Sequence, residues 1–375
     1  MEKRMTRREF MMAAAAASAL PAWAKDGKFV RGALLHLGQN MWDDFQDDPD
    51  GWAKSAEEEK TRPNPMGPSG KRLSRYHSYL RCDDAVWRRT ADAARDAGCN
   101  LLFIDLGEGV VYPSHPELAV PGTWRVEKLR KELARLRAMG LEPIPKLNFS
   151  ATHDAWLKDY HRMLSTPKYY SVVADLIRDT CEIFDHPRFF HIGYDEEHVS
   201  DQFNHFHASA RQGDLWWHDL KHAIGEVERN GAQAAMWSDA VWFDRATFLK
   251  RMSKGVVQMN WYYRADFSEK ALAWKPEFEK THKGWPEKIH GAAAFLVLQE
   301  AGFRQLPCLS NYFEEEATDA GVKFCRERMD PSLLMGICTA PWAGSVVDSE
   351  GVKGEAHTLK GLKQFGDACR RYYGG

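Results

Sequence analysis

The sequence lacks the marks of several common protein classes. It has no Cys-x-x-Cys pair, and its seven cysteines are an odd number, so neither a thiolate zinc site nor a disulfide framework is indicated. No glycine-rich phosphate turn follows the first strand-like run, which argues against an open dinucleotide-binding sheet. Charge of one sign is not in excess: the formal net charge is -2, and acidic and basic residues are interspersed. That balance gives no electrostatic reason to expect nucleic acid or an anionic membrane as a partner. Past the first 24 residues no segment approaches ~20 continuous apolar residues, the length that spans a bilayer.

What is present begins with an address. Thr6-Arg7-Arg8-Glu9-Phe10-Met11 resembles a twin-arginine export signal, with a run of small apolar residues from Met11 to Leu20 and Ala22-Trp23-Ala24 before Lys25. Residues 1–24 are therefore expected to be a signal peptide read by the twin-arginine export machinery. Residues 25–375 are expected to form one domain that works in the periplasm or outside the cell, with no membrane contact after the signal is removed. Export in the folded state from a reducing cytoplasm is compatible with free thiols, and Cys99, Cys308 and Cys338 lie in or beside apolar runs where Cys packs as a small hydrophobe.

After Lys25, short apolar runs alternate with amphipathic stretches. The runs are 30–37, 100–106, 142–149, 189–193, 233–237, 256–261, 304–310 and 333–341, each the length of a buried strand. Helical patterns at 85–97, 126–139, 168–184, 216–230 and 315–328 lie between them, and Gly98, Gly140, Gly231 and Gly302 stand where helices should stop. Eight strands alternating with helices predict an α/β fold, a (β/α)8 TIM barrel in a single domain. The Pro-, Gly- and charge-rich segment 47–74 reads as a long first loop over the active-site face.

In such barrels reactive groups collect at the C-terminal strand ends. Those ends carry His36, Gln39 and Asn40; Asp105 and Glu108; Lys146 and Asn148; Asp195, Glu196 and Glu197; Trp237 and Asp239; Asn260 and Trp261; Asn311, Tyr312 and Glu314; and Trp342. Carboxylates, amides and indoles suit a polyhydroxylated ring, since flat apolar indoles match the apolar face of a sugar. A glycan or oligosaccharide is thus the expected substrate, without a cofactor or metal. Glu197 and Asp201 read as surface-loop acids, and His191 as a satisfied core histidine.

The segment Phe190-His191-Ile192-Gly193-Tyr194-Asp195-Glu196 resembles the end of strand four in the β-N-acetylhexosaminidases of glycoside hydrolase family 20, His-x-Gly-Gly-Asp-Glu, with Tyr194 in place of the second glycine. Weaker correspondences follow in barrel order: Lys146 to His153 with a strand-three segment ending in Pro-Gly-His, Trp237-Ser238-Asp239 with a strand-five Trp and acid, Val257-Gln258-Met259-Asn260-Trp261 with strand six, Ser310-Asn311-Tyr312 with strand seven, and Trp342 with strand eight. The family's arginine at the end of strand one has no counterpart in Ala33-Leu34-Leu35-His36. The resemblance implies that the substrate's own 2-acetamido oxygen attacks C1. Asp195 would then orient that group and Glu196 would serve as general acid and base. It further implies Tyr312 on the acetamido oxygen, Trp237, Trp261 and Trp342 as pocket walls, and His153 supporting the acid pair, with Asp239 and Glu314 among the substrate contacts. For a sugar without an acetamido group, Asp105 or Glu108 facing Glu196 becomes the nucleophile. Two other readings stay open: a metal-dependent hydrolase or isomerase using His191, Asp195 and His198, and a sugar-binding barrel without catalysis.

Overall fold

The computed structural model describes residues 28–42, 76–198, 211–279, 286–349 and 353–374. The expected signal peptide, the long first loop, and Asp201 lie outside them. Within them, eight parallel strands follow one another around a barrel: β1 Val30–His36, β2 Leu101–Asp105, β3 Glu142–Lys146, β4 Phe189–His191, β5 Gln233–Trp237, β6 Val257–Met259, β7 Cys308–Leu309 and β8 Gly336–Thr339. Hydrogen-bonded neighbours run β6-β5-β4-β3-β2-β1-β8-β7. The ring closes between β6 and β7 through the parallel bridges Gln258↔Gln305 and Trp261↔Cys308. The fold is a (β/α)8 barrel, as the alternation of runs predicts.

Each strand is followed by a helix on the outside: α1 Asp84–Asp96, α2 Val126–Ala138, α3 Pro167–Ile183, α4 Asp214–Arg229, α5 Arg245–Arg251, α6 Ala292–Glu300, α7 Ala317–Arg328 and α8 Glu355–Tyr373. Local chemistry sets their ends. Asp83 caps α1 by accepting from Ala85 N at 2.8 Å and Val86 N at 2.9 Å. The four glycines expected to stop helices all have left-handed φ, from 76° to 83°.

Strand lengths are shorter than the apolar runs, and β3 shows why. Its sequence is Glu-Pro-Ile-Pro-Lys. Leu147 N donates to His191 O across the β3–β4 seam, so Pro143 and Pro145, at the same alternation, face β4 without an N–H to give. Only Lys146↔His191 pairs there, against five partners between β2 and β3. The Arg188–Glu142 ion pair, with Arg188 Nε 2.8 Å from Glu142 Oε1, ties the lower end of that seam instead.

Inside the barrel a layer of side chains forms a ring at the C-terminal strand ends. Its polar arc is His36 on β1, Asp105 on β2 and Lys146 on β3, all buried, with His36 Nε2 3.7 Å from Asp105 and Lys146 Nζ donating to Asp105. Its aromatic arc is His191, 4.4 Å from Trp237, which is 5.6 Å from Trp342, which is 5.7 Å from His36. This layer is the floor on which the candidate site sits.

Candidate active site

Directly after β4 the backbone turns in a conformation that side chains seldom adopt. Gly193, Tyr194 and Glu196 have φ of 76°, 70° and 53°. Glycine is required at the first: a Cβ there would lie 1.9 Å from Asn148 Oδ1. At the second, where the family pattern has glycine, Tyr194 is held by packing. Its buried ring lies 4.6 Å from the Arg211 guanidinium and 5.8 Å from the Trp216 ring.

This turn presents two carboxylates to one imidazole. His153 Nε2 stands 3.0 Å from Glu196 Oε2 and 3.5 Å from Asp195 Oδ2, while its Nδ1 is 3.0 Å from Met41 O. The carbonyl requires a proton on Nδ1, and the carboxylates favour one on Nε2. Burial works against that charge, but Asp195 and Glu196 outweigh it and raise the His153 pKa to about 10. That cation offsets the repulsion between the two adjacent acids. Asn148 Nδ2 donates to Asp195 Oδ1 at 2.9 Å, and Asp239 Oδ2 accepts from Glu196 N at 2.8 Å. Asp195 is buried, whereas the Glu196 side chain is 44% exposed.

The remaining expected residues divide by surroundings. Trp342, itself left-handed at φ 52°, is partly buried and faces His36, Trp237 and Tyr263. Trp261 is buried against Trp242 and stacks on Tyr263 at 5.1 Å. Trp237 is fully buried and belongs to the floor. Asp105 is engaged by Lys146; burial raises its pKa while Lys146 pulls the other way. Glu108 is also buried, and its oxygens accept from Gln39 N at 2.8 Å and Asn40 N at 3.2 Å, so it braces the β1 loop. Glu314 joins the β7 and β6 loops through Ala265 N at 2.8 Å and Arg264 at 3.4 Å. Tyr312 is 38% exposed, with Lys353 Nζ 3.6 Å from its ring centre.

Glu197 is not a surface acid: it is buried and paired with Arg211, and accepts from Ala151 N. Its place at the end of the acidic run Asp195-Glu196-Glu197 gives no hint of a basic partner fourteen residues on. No spacing in the sequence singles out Tyr263. It is buried beside Trp261 and Trp342, and burial first, then Cys308, Asp195 and Glu196, hold its hydroxyl protonated. The run Trp261-Tyr262-Tyr263 after β6 was the available signal. Finally, His191 and His198 do not join Asp195. His191 is buried between Phe103 and Trp237, with Nδ1 accepting from Gly193 N at 3.0 Å, and burial and Lys146 keep it neutral. His198 stacks on Phe243 at 4.0 Å. Among the described residues the metal-competent group is His153, Asp195 and Glu196, with ligand atoms within 4.8 Å of one another.

A cavity of about 440 Å³ lies beside the β4 turn, lined among others by Tyr194, Trp216, Trp217, Asp239, Phe243 and Arg251. No helix of the described residues is long and apolar enough to cross a membrane.

No family model and no curated protein sequence matches this chain. Its structure is similar to solved enzymes with the same barrel. β-N-acetylhexosaminidase from Bacteroides fragilis aligns with TM-score 0.52 and 14% identity over 89% of this chain and 65% of its own. An exo-β-N-acetylglucosaminidase of glycoside hydrolase family 20 from Vibrio harveyi gives 0.53 and 12% over 92% and 57%. The pneumococcal factor StrH, known for N-glycan recognition and hydrolysis, gives 0.53 and 13% over 92% and 84%. This chain thus spans less than two thirds of the first two, and at these identities the similarity establishes the fold.

Proposed function

We propose that this protein is an exported glycoside hydrolase of the β-N-acetylhexosaminidase type, acting by a substrate-assisted retaining mechanism. The observation that carries the reading is the His153 imidazole lying between Asp195 and Glu196 above an aromatic layer at the mouth of the barrel. The solved neighbours that act on N-acetylhexosaminides support it.

In this mechanism the acetamido oxygen forms a bond to C1 as the glycosidic C1–O bond breaks. Asp195, fixed by Asn148, accepts the acetamido N–H and stabilises the positive charge that develops there. Glu196 gives its proton to the leaving oxygen. It then takes a proton from water, whose oxygen attacks C1 as the bond between C1 and the acetamido oxygen breaks, so two inversions give retention. At rest this proton is shared across the 3.0 Å contact between His153 Nε2 and Glu196 Oε2, and the proton regained from water restores it, so the cycle closes. On this reading Tyr263 and Trp342, whose ring centres lie 6.1 Å apart, wall the sugar beside the acids, and Tyr312 and Glu314 meet it further out.

The test is turnover of 4-nitrophenyl glycosides with and without a 2-acetamido group, with the anomer of the first product read by NMR. Acetamido substrates should be cleaved with retention. Glu196→Gln should lower kcat by at least ~10²-fold, the contribution of a positioned general acid. Cleavage confined to sugars lacking the acetamido group would defeat the assisted mechanism.

The metal reading is favoured by one observation, the proximity of His153, Asp195 and Glu196. A cation there would have to displace the proton that the two carboxylates hold on His153. Chelator dialysis decides between them: unchanged turnover supports the carboxylate mechanism, and loss that zinc restores supports the metal.

A further inference from the structure

The cavity beside the β4 turn takes no part in the proposed reaction. At about 440 Å³ it has the size of pockets that hold small molecules, roughly 300–1,000 Å³. Five aromatic rings line it. Tyr194 meets Trp216 edge-on with ring centres 5.8 Å apart, Trp216 meets Trp217 on α4 at 4.9 Å, and Trp217 lies 6.0 Å from Phe248 on α5. Phe243, on the loop after β5, is the fifth ring and stacks on His198 at 4.0 Å. Each ring is thus fixed by a neighbour before any ligand arrives, which lowers the ordering cost of binding.

The charges around these rings are unevenly matched. Glu197 is held by Arg211, and Arg251, 5.0 Å from the Trp217 ring, pairs with Asp214. Asp239 accepts from Glu196 N at 2.8 Å. Asp244, also in the wall, differs from all of them. Its Oδ1 accepts from Thr247 N at 3.2 Å at the start of α5, and no basic side chain pairs with it among the described residues. The cavity therefore offers aromatic faces and one carboxylate whose charge no protein cation balances. Ring faces attract a cation through their quadrupole, and the carboxylate adds direct attraction. An anion would have to compete with Asp214 for Arg251.

We propose that this cavity is a ligand site separate from Asp195 and Glu196, and that it takes a small organic cation, a primary or quaternary ammonium on an aromatic body, with the charge beside Asp244. The site borders the turn that carries the two acids, since Tyr194 and Asp239 belong to both. Its occupancy is read by binding alone, so it stands or falls apart from the hydrolase reading.

The experiment is isothermal titration calorimetry at neutral pH with 2-phenylethylamine, benzyltrimethylammonium, 2-phenylethanol and 3-phenylpropionate. Wild type should bind the two cations about five- to thirtyfold more tightly than the alcohol, the range of a cation beside ring faces and one carboxylate, and the acid least well. Asp244→Asn keeps an oxygen to cap α5 but not the charge, and should bring cations and alcohol to equal affinity. Asp244→Ser, another uncharged cap, gives the same reading should the amide variant fail to fold. Phe243→Ala should weaken cations and alcohol alike by about three- to tenfold, the range of one aromatic contact. A wild type that prefers no cation over the alcohol, or binds none at about 10 mM, the weak limit for ligands of this size, overturns the site. So does a preference that survives loss of the Asp244 charge, or an affinity that Phe243→Ala leaves unchanged.

Discussion

At the scale of single residues, His153 stands out because its imidazole lies against two acids, Asp195 and Glu196. Its pKa rises from 6.5 to about 10 on folding, through Asp195 and Glu196 against the effect of burial. The folded state therefore holds its proton more tightly than the unfolded one. The resulting stability is fully present below pH 6.5 and is lost as pH rises through about 10. Replacing it with glutamine, which cannot carry charge, should cost about 1.5–3 kcal/mol, the range for a hydrogen bond to a charged group. Urea unfolding of wild type and His153→Gln across that interval should show the gap closing toward alkaline pH; a constant gap would mean that packing alone is lost. At this scale the sequence was informative where chemistry is contiguous. Asp195 and Glu196 stand together after an apolar strand. Tyr263 and Arg211 reach the site from other loops, and no spacing rule announces them.

The element that matters most is the turn after β4. Its two left-handed non-glycine residues are held by a buried frame: Arg211 pairs with Glu197, lies 3.2 Å from Asp219 on α4, packs on Tyr194 and donates to Phe149 O. Removing one partner of such a pair leaves a buried charge alone. Arg211→Leu should thus destabilise by about 3–5 kcal/mol, measured by urea unfolding. Gly193→Ala should cost about 1–3 kcal/mol for backbone strain, and lower kcat because the new methyl displaces Asn148 from Asp195. A Gly193→Ala protein with wild-type stability and turnover would show that the turn is not strained. The glycines that stop helices were legible, since an αL stop depends on one residue type. Strand ends were not, because prolines on β3 cut short a pairing that apolar composition alone would have extended.

For the whole molecule, the barrel was legible from the count and order of apolar runs, while the evenness of its wall was not. Five paired positions join β1 to β2 and five join β2 to β3, but one joins β3 to β4, and β7 is two residues long. Local opening should begin at those thin seams. Native-state hydrogen exchange should be slowest at Leu34, Leu35, Leu102 and Phe103, and faster around β4 and β7. Uniform protection would contradict that reading.

Phe29, just before β1, stacks on Tyr373 near the end of α8 with centroids 4.6 Å apart, and Arg31 Nη2 donates to Gly374 O at 2.8 Å. The two ends of the described residues thus meet beneath the barrel, at the pole opposite Asp195 and Glu196. A short peptide could splice them and new termini be cut into an outer loop, giving a circular permutant with the same mouth. By the same geometry, a carrier fused at either end, or a surface to which the protein is tethered there, leaves the entrance facing outward.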